Sequence, residues 1–327
     1  MGCNTNKLVI DQSREVITML KTAFVFPGQG SQYVGMGKDL YDENAQAKAL
    51  YNKADETLGF SLSKICFNGP EEELKQTKNT QPAIFLHSVV LFTLLKNRKF
   101  EMAAGHSLGE YSALVAAGAF TFEDGLKLVR LRGELMQQAG VEQPGTMAAI
   151  VGLDPNTINE ICNEASPAGI VQAANFNSPG QIVVSGSVTG VRKVMELAKT
   201  RGAKITKELP VSGAFHSPLM ESAQAGLRAA LVKTEIRDSV VPVYANVTAR
   251  PVHHADEIRN LLYKQLTSPV RWEESIANMV ADGATTFTEI GPGKVLQGLI
   301  KRINGNVQTC GFEKLNDIAA ADGISNK

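Results

Sequence analysis

The sequence predicts an α/β fold, and three observations support this class. Glycine (29 residues) and small aliphatic residues are plentiful, while aromatic residues make up only 6% of the 327-residue chain. Such a composition is more typical of an α/β enzyme than of a β-sandwich. Short apolar runs of strand length alternate with helix-like segments. Residues 146–209 have their own strand and helix order, which indicates a smaller unit inserted into a larger one.

The first strand is predicted at residues 22–26, a short apolar run of the buried kind. The loop that follows, Pro27 to Gln32, contains two glycines that let its backbone approach another group closely. A dinucleotide-binding fingerprint is absent here because Tyr33 stands where its third glycine is needed. Residues 41–99 have a mostly helical pattern, with one helix expected to have Pro82 in its first turn.

The segment most informative about function is Gly105-His106-Ser107-Leu108-Gly109. A strand is predicted just before it, at residues 100–104, and a helix-forming run begins at Glu110. Small residues around a serine allow a sharp turn from strand to helix, which leaves the hydroxyl exposed beside the helix N-terminus. The Gly-x-Ser-x-Gly pattern is short, so its flanking strand and helix carry the argument. They predict that Ser107 is presented as a nucleophile.

A further helix is predicted from Thr121 to Gln138, with Thr121 and Asp124 in a capping pattern. At about 100° per residue, Arg132 falls inside the apolar face of this helix, whereas Arg130 falls on the opposite, solvated face. A guanidinium on a buried face needs an anion, because it stays charged and its donors must be satisfied. Two interpretations remain open: an internal ion pair, or a clamp for a substrate carboxylate.

The inserted unit reads as strand, helix, strand, strand, helix and strand, the order typical of ferredoxin-like units. Its predicted elements are strands at 146–151, 170–174, 181–185 and 204–209, with helices opened by Asp154-Pro155 and covering 188–200. Asn175 is expected to face the cleft between the two parts. After the insert, His216 lies on a loop of small residues before a helix, which brings its side chain to the cleft rim. A lone histidine is more often structural than catalytic, so both roles stay open.

Composition limits the function classes. Lys plus Arg (33) equals Asp plus Glu (33), so no overall field indicates a nucleic-acid or membrane partner. No apolar run reaches the roughly 20 residues that cross a bilayer. The four cysteines form no Cys-x-x-Cys pair, and no metal site is predicted. Residues 1–20 lack the apolar core of a signal peptide, so we expect a cytoplasmic protein, with Met19 as a second candidate for the start of the chain.

Three separated stretches agree with one family: Gly28-Gln29-Gly30-Ser31-Gln32, Gly105-His106-Ser107-Leu108-Gly109-Glu110 and Gly213-Ala214-Phe215-His216-Ser217. With Arg132 and Gly291-Pro292-Gly293, the chain closely resembles malonyl-CoA:acyl carrier protein transacylases over about residues 22–315. The resemblance implies a large α/β-hydrolase-like subdomain (residues 21–143 and 212–316) and a ferredoxin-like insert (144–211). Residues 1–20 are then expected to be a disordered extension and 317–327 a frayed tail.

The resemblance also implies the roles of individual residues. Ser107 is the nucleophile, His216 the general base, and Arg132 the group that binds the malonyl carboxylate. The remaining expected roles belong to Gln29 and Leu108, whose N–H groups form the oxyanion hole, Gln265, whose backbone carbonyl orients the base, and Phe215, whose bulk excludes a methylmalonyl group.

The implied reaction moves malonyl from malonyl-CoA to Ser107 and then to the phosphopantetheine thiol of acyl carrier protein, which supplies fatty-acid elongation. No cofactor is expected, since a thioester is already activated, and a monomer is expected. Because carrier proteins are acidic, a basic docking face is also expected. Its candidates are Arg192, Lys193, Lys199, Arg201, Lys204 and Lys207 on the insert, or Lys294, Lys301 and Arg302 beyond it.

Three alternative functions remain. A free-standing acyltransferase that loads polyketide synthase carrier proteins would share every motif. A serine thioesterase or hydrolase would have no need of a buried arginine. A binding module without activity is disfavoured by the joint presence of Ser107, His216, Gln29 and Arg132.

Overall fold

The computed structural model describes residues 21–95, 98–211 and 213–321. The extension predicted for residues 1–20 lies outside these ranges. Within them, no helix combines the length and the apolar character needed to cross a bilayer.

The fold is mixed α/β, with a six-stranded and a four-stranded sheet. The strands are β1 (Lys21–Phe26), β2 (Met102–Gly105), β3 (Gly145–Val151), β4 (Val171–Ser178), β5 (Gln181–Ser187), β6 (Ile205–Glu208), β7 (Val243–Tyr244), β8 (Pro251–Val252), β9 (Ala284–Ile290) and β10 (Gln308–Phe312). The helices are α1 (Lys38–Glu43), α2 (Ala45–Leu58), α3 (Leu62–Asn68), α4 (Glu71–Leu74), α5 (Thr77–Leu94), α6 (Gly109–Ala116), α7 (Phe122–Glu142), α8 (Pro155–Ala165), α9 (Val188–Thr200), α10 (Glu221–Lys233), α11 (Ala255–Gln265), α12 (Trp272–Ala281), α13 (Val295–Ile303) and α14 (Leu315–Ala321).

The larger sheet has the order β10-β9-β1-β2-β7-β8 and is parallel except for the β7–β8 pair. β1 lies in its middle, and residues 22–26 of this strand are buried, as expected for a strand covered on both faces. Phe26 at the end of β1 is paired with Gly105 at the end of β2. The loop after β1 and the turn after β2 therefore emerge side by side at one edge of the sheet, where sites form in open α/β sheets.

The smaller sheet is antiparallel, with the order β4-β5-β3-β6. Its chain order is strand, α8, two strands, α9 and strand, and the apolar faces of both helices share one core with the sheet. The predicted start of α8 is confirmed, because the Asp154 side chain accepts hydrogen bonds from Asn156 N and Thr157 N. The bounds predicted for α9 are also confirmed.

Helix α5 begins earlier than predicted, at Thr77, so that Pro82 lies inside the helix rather than in its first turn. Proline has no N–H, which leaves the carbonyl four residues earlier, Lys78 O, without its helical donor. Arg130 Nη1 donates to Lys78 O at 2.9 Å. The placement of Arg130 on a solvated face was therefore wrong: this side chain is only 20% exposed.

Two other differences concern short elements. Strands β7 and β8, of two residues each, were not predicted, because such short pairs have no periodicity to detect. Residues up to 321 continue as helix α14, so the frayed tail expected from Asp317 does not hold there. Ile318 is buried in the main core, and Asp317 Oδ2 accepts hydrogen bonds from Glu313 N and Lys314 N.

The packing of β1 against the turn after β2 requires glycine at position 109. A Cβ there would lie 2.0 Å from Phe26 O, which is backbone of the central strand and cannot move aside. We expect Gly109→Ala to lower the free energy of unfolding by about 3 kcal/mol. Gly298→Ala is the matched control, since nothing lies within 4 Å of a Cβ there. That helical substitution should stabilise the protein by about 0.5–1 kcal/mol in the same urea titration. Equal midpoints for the two variants would contradict the packing argument.

Candidate active site

Ser107 stands at the apex of the turn between β2 and α6, as predicted. Its φ of 52° is left-handed, a conformation that costs a residue with a side chain about 1–3 kcal/mol. One asparagine holds this turn from both sides. Ser107 N donates to Asn246 Oδ1 at 2.7 Å, and Asn246 Nδ2 donates to Gly105 O at 2.7 Å. The strained turn is therefore fixed by a side chain from the neighbouring part of the sheet, just after β7.

His216 is brought to Ser107 although 109 residues separate them, with Nε2 at 2.7 Å from Ser107 Oγ. The other ring nitrogen, Nδ1, lies 2.9 Å from Gln265 O and 3.1 Å from Ser268 O. Carbonyls only accept hydrogen bonds, so Nδ1 carries the proton and Nε2 presents its lone pair to the serine hydroxyl. The contact predicted for Gln265 O is present, and Ser268 O is a second acceptor that was not predicted.

The environment of His216 keeps its imidazole neutral. Burial, and then the positive charge of Arg132, lower the pKa of His216 to about 3. The segment around the base is further tied down by Gln172 of β4, whose Nε2 donates to His216 O at 2.7 Å and to Thr267 O at 3.2 Å. At neutral pH the ring is therefore unprotonated and fixed in orientation.

Arg132 is fully buried on the inner face of α7, as predicted. Its Nη1 donates to Gln81 Oε1 at 2.8 Å, and its Nη2 donates to Gln265 Oε1 at 2.9 Å and to Ser107 Oγ at 3.1 Å. Both amide partners are neutral, and Nε has no partner among the described residues. Across residues 21–95, 98–211 and 213–321, Arg132 also forms no ion pair. The internal ion pair considered from the sequence is thus absent, and the buried cation is held by groups that do not neutralise it.

A buried carboxyl lies behind this arginine. Glu110 is 2% exposed, and its Oε2 accepts hydrogen bonds from Gln265 Nε2 at 2.8 Å and from Asn246 N at 2.9 Å. Burial raises the pKa of Glu110 to about 7. The side chain of Gln265 therefore stands between Glu110 and Arg132, in addition to the contact of its backbone with His216.

The two N–H groups expected to form the oxyanion hole are available. Within the described ranges, neither Gln29 N nor Leu108 N donates to any acceptor. Leu108 immediately precedes α6, and the N–H groups of the next residues, Gly109 and Glu110, donate to His106 O and Ser107 O. The close backbone approach predicted for the glycines beside Gln29 is confirmed at Gly28, and Gly30 meets a conformational need. A Cβ on Gly28 would lie 2.4 Å from His106 O, and Gly30 has a φ of 103°, so packing and conformation require them.

A cavity of about 260 Å³ opens onto Ser107 and His216. Gln29, Phe215 and Asn175 also line it, so the insert contributes to its wall as expected for Asn175. His106 lines the cavity too, but its Nε2 lies 2.9 Å from Asn177 Oδ1 rather than facing the serine. The sequence-based preference for His216 over His106 as the partner of Ser107 agrees with this geometry.

The site contains residues that the sequence analysis did not identify: Gln81, Glu110, Gln172, Asn246 and Ser268. Glu110 was named only as the last residue of the family stretch Gly105 to Glu110, with no role predicted for it. Asn246 had a usable signal, because a polar residue after an apolar run marks the carboxyl end of a strand, where sites form in α/β folds. Gln81 is placed by the early start of α5, so no local pattern indicated it.

Known proteins support a common origin for this arrangement. A family model described as "Acyl transferase domain" matches residues 23–311. The malonyl CoA-acyl carrier protein transacylase of Bacillus subtilis (strain 168) is 49% identical over 294 residues, which cover 89% of this chain and 93% of the relative. That of Staphylococcus aureus (strain MRSA252) is 44% identical over 301 residues, covering 92% and 98%.

Solved structures agree. The acyl carrier protein S-malonyltransferase of Vibrio cholerae superposes with a TM-score of 0.88 at 42% identity, covering 92% of this chain and 99% of that one. A malonyl-transacylase in complex with its type II PKS acyl-carrier protein gives 0.89 at 39% identity, covering 93% and 99%. By this similarity over nearly its whole length, the chain belongs to the acyl transferase domain family, among the malonyl CoA-acyl carrier protein transacylases.

Proposed function

We propose that this enzyme transfers a malonyl group from malonyl-CoA to the phosphopantetheine thiol of acyl carrier protein, through a malonyl ester of Ser107, and so supplies fatty-acid elongation. The observation that carries the proposal is a buried Arg132 that forms no ion pair with any described residue and whose Nη2 lies 3.1 Å from the oxygen of Ser107. A guanidinium in this place suits an acyl group that ends in a carboxylate, because two parallel charge-assisted hydrogen bonds can then form. A plain hydrolase has no use for this cation.

In the first half-reaction, Ser107 Oγ attacks the thioester carbon while its proton passes to His216 Nε2. The N–H groups of Gln29 and Leu108 donate to the oxyanion of the tetrahedral intermediate. The C–S bond then breaks, and the leaving thiolate of CoA takes the proton from His216. The neutral imidazole, fixed by two carbonyls at Nδ1, is ready to accept a proton in the resting enzyme.

In the second half-reaction, the phosphopantetheine thiol gives its proton to His216 Nε2 and attacks the ester carbon. The ester bond to Ser107 Oγ breaks, and the serine oxygen takes the proton back. One thioester replaces another, so the steps balance without a metal or a redox cofactor. Every group used comes from one chain, which supports a monomer as the acting unit, and CoA and carrier-protein substrates support a cytoplasmic site of action.

Phe215 is proposed to limit the acyl group. It is 5% exposed, precedes the base and lines the cavity beside it. A ring in this place would exclude the extra methyl of a methylmalonyl group, although apolar exclusion of this kind rarely exceeds about 3 kcal/mol.

The carrier protein is proposed to dock beside α13. Lys294 precedes this helix, and Arg302 Nη1 donates to Gln181 Oε1, at 2.7 Å, where Gln181 lines the cavity. Several basic residues of the insert are instead engaged in ion pairs: Arg201 with Glu160 and Glu164, Arg192 with Glu208, and Lys193 with Glu196. The basic residues at and beside α13, Lys294, Lys301 and Arg302, are therefore the better candidates for a surface that binds an acidic carrier protein near the catalytic serine.

We also propose that the two sheets mark two subdomains: an α/β-hydrolase-like one (21–143 and 212–316) and a ferredoxin-like insert (144–211). The order β4-β5-β3-β6 and the alternation of its strands with α8 and α9 support the insert. The cavity then lies between the subdomains, since Ser107 comes from the first and Asn175 from the second.

Intact-protein mass spectrometry tests both half-reactions. Mixing with malonyl-CoA should add the mass of one malonyl group, and adding holo acyl carrier protein should remove it from the enzyme and place it on the carrier. An adduct that is lost in buffer without carrier would indicate a hydrolase instead.

A second candidate function is the loading of a polyketide synthase carrier protein. The similarity to a malonyl-transacylase solved with its type II PKS acyl-carrier protein favours it specifically. The chemistry of Ser107 would be the same, so only the partner differs. Comparing transfer rates to carrier proteins from both pathways, at equal concentration, decides between them.

A further inference from the structure

Glu110 is a buried carboxyl next to the catalytic groups, and the mechanism above does not use it. It contacts neither the cavity nor Ser107 Oγ. Among the described residues, the carboxyl group of Glu110 accepts hydrogen bonds from two neighbours, the side chain of Gln265 and the backbone N–H of Asn246. Each neighbour in turn contacts a different part of the site. Two hydrogen-bonded paths therefore lead from Glu110 to Ser107, one through Gln265 and Arg132 and the other through Asn246.

The first path runs through Gln265 to Arg132. Gln265 Oε1 accepts from Arg132 Nη2, and Gln265 Nε2 donates to Glu110 Oε2 and to Ser107 O. If the amide turned over, its NH₂ group would face the guanidinium, donor against donor. An acceptor at Glu110 keeps the NH₂ group on its own side. Glu110 thus fixes which end of the Gln265 amide meets Arg132.

The second path runs through Asn246 to Ser107. Glu110 Oε2 fixes the backbone of Asn246, whose side chain accepts from Ser107 N and donates to Gly105 O. These two bonds hold the left-handed turn at Ser107. A displaced Asn246 would therefore move the serine oxygen relative to the arginine.

From these contacts we propose that Glu110 is a positioning residue that gives the site its preference for a malonyl group. It does so by fixing the position of Ser107 relative to Arg132, through Asn246 and Gln265. Both hydrogen bonds reach the same oxygen, Oε2, so the requirement is an acceptor at one point rather than a negative charge. Burial raises the pKa of Glu110 to about 7, and a proton on the other oxygen leaves both bonds intact. The inference rests on the proposed function, in which Arg132 binds the malonyl carboxylate.

The test compares Glu110→Met, which keeps the size of the side chain but removes the acceptor, with Glu110→Gln, which keeps an oxygen there. The measurement is kcat/KM for malonyl-CoA and for acetyl-CoA, with one carrier protein. We expect the malonyl-to-acetyl ratio to fall by about tenfold or more in Glu110→Met, and to stay within about threefold of wild type in Glu110→Gln. Glu43→Met, on the exposed surface of α1, controls for the substitution itself.

A purely structural role for Glu110 would lower the folded fraction of enzyme without changing this ratio. An unchanged ratio in Glu110→Met, or a loss in Glu110→Gln as large as in Glu110→Met, overturns the inference. If Glu110→Met does not fold, Glu110→Asp withdraws the acceptor by one methylene and replaces it in the comparison; a wild-type ratio in that variant overturns the inference equally. A wild-type enzyme without malonyl preference would instead overturn the proposed function, and this inference with it.

Discussion

We expect Ser107→Ala to remove covalent malonyl labelling and to lower malonyl transfer by about 10⁴-fold or more, the scale of losses seen when a serine nucleophile is deleted. The reason is geometric. In the part of the chain that the structure describes, Ser107 is the only residue whose hydroxyl both lies in the cavity and contacts His216 Nε2, at 2.7 Å. Alanine leaves the cavity and Arg132 in place but provides no atom to carry the acyl group. Intact-protein mass spectrometry after mixing with malonyl-CoA makes the measurement.

Ser112→Ala is the matched control for this prediction. Ser112 is a fully buried serine in the first turn of α6, and its Oγ has no hydrogen-bond partner in the part of the chain that the structure describes. Its removal should leave one malonyl group per enzyme. A malonyl adduct that persists in Ser107→Ala, mapped to any other residue, would refute the assignment of the nucleophile.

The sequence predicted those parts of the site that local patterns determine. The strand before Ser107, the helix after it and the small residues between them are adjacent in the chain, so their geometry follows from short-range sterics. Helical periodicity likewise placed Arg132 on a buried face, which the structure confirms. Even the capping side chain of α7 could be predicted, since Thr121 Oγ1 accepts from Asp124 N three residues later.

Asn246 and Gln81, which long-range contacts bring to the site, were missed because no spacing in the chain reflects such contacts, whereas His216 was identified through the family resemblance. Asn246 meets Ser107 across 139 residues, and Gln81 meets Arg132 across 51. Pro82 was assigned to a helix start by local preference, but a tertiary contact from Arg130 satisfies the carbonyl that proline leaves without a donor. At Pro82 a tertiary contact therefore overrode the local preference.

Arg132→Ala is expected to change the selectivity of the enzyme rather than abolish transfer. Removing one partner of a buried charged contact typically costs about 3–5 kcal/mol. Malonyl transfer should therefore fall by about 10²-fold to about 4 × 10³-fold, since 1.4 kcal/mol corresponds to a factor of ten. Acetyl transfer should fall much less, because an acetyl group has no carboxylate to lose its partner. The readout is kcat/KM for both CoA thioesters with the same carrier protein.

Two variants sharpen the result. Arg132→Lys keeps a positive charge but cannot form two parallel hydrogen bonds, so it should recover only part of the malonyl preference. Arg130→Ala removes a neighbouring, largely buried arginine that is bonded to Lys78 O and Asn79 Oδ1, outside the site. It should lower stability and leave the malonyl-to-acetyl ratio unchanged. Equal losses for both acyl groups in Arg132→Ala would assign Arg132 a structural role.

The pH dependence of acetyl transfer by Arg132→Ala tests whether the charge of Arg132, rather than only its size, acts on His216. Burial and the charge of Arg132 lower the pKa of His216 to about 3, so the wild-type base stays neutral well below pH 7. Without that charge the pKa of His216 should rise, so that the acid limb of kcat/KM for acetyl transfer moves to higher pH. Arg132→Lys should keep the limb near its wild-type position.

The free energy of unfolding depends on the same pKa. The folded pKa lies below the unfolded value of about 6.5, so the neutral ring stabilises the fold fully above pH 6.5, and this contribution is lost as pH falls towards the folded pKa. Raising that folded pKa reduces the loss, so the contribution of His216 to the free energy of unfolding should decline less on acidification in Arg132→Ala than in wild type. In the kinetic test, an acid limb of kcat/KM that does not move would show that the charge of Arg132 does not act on the base.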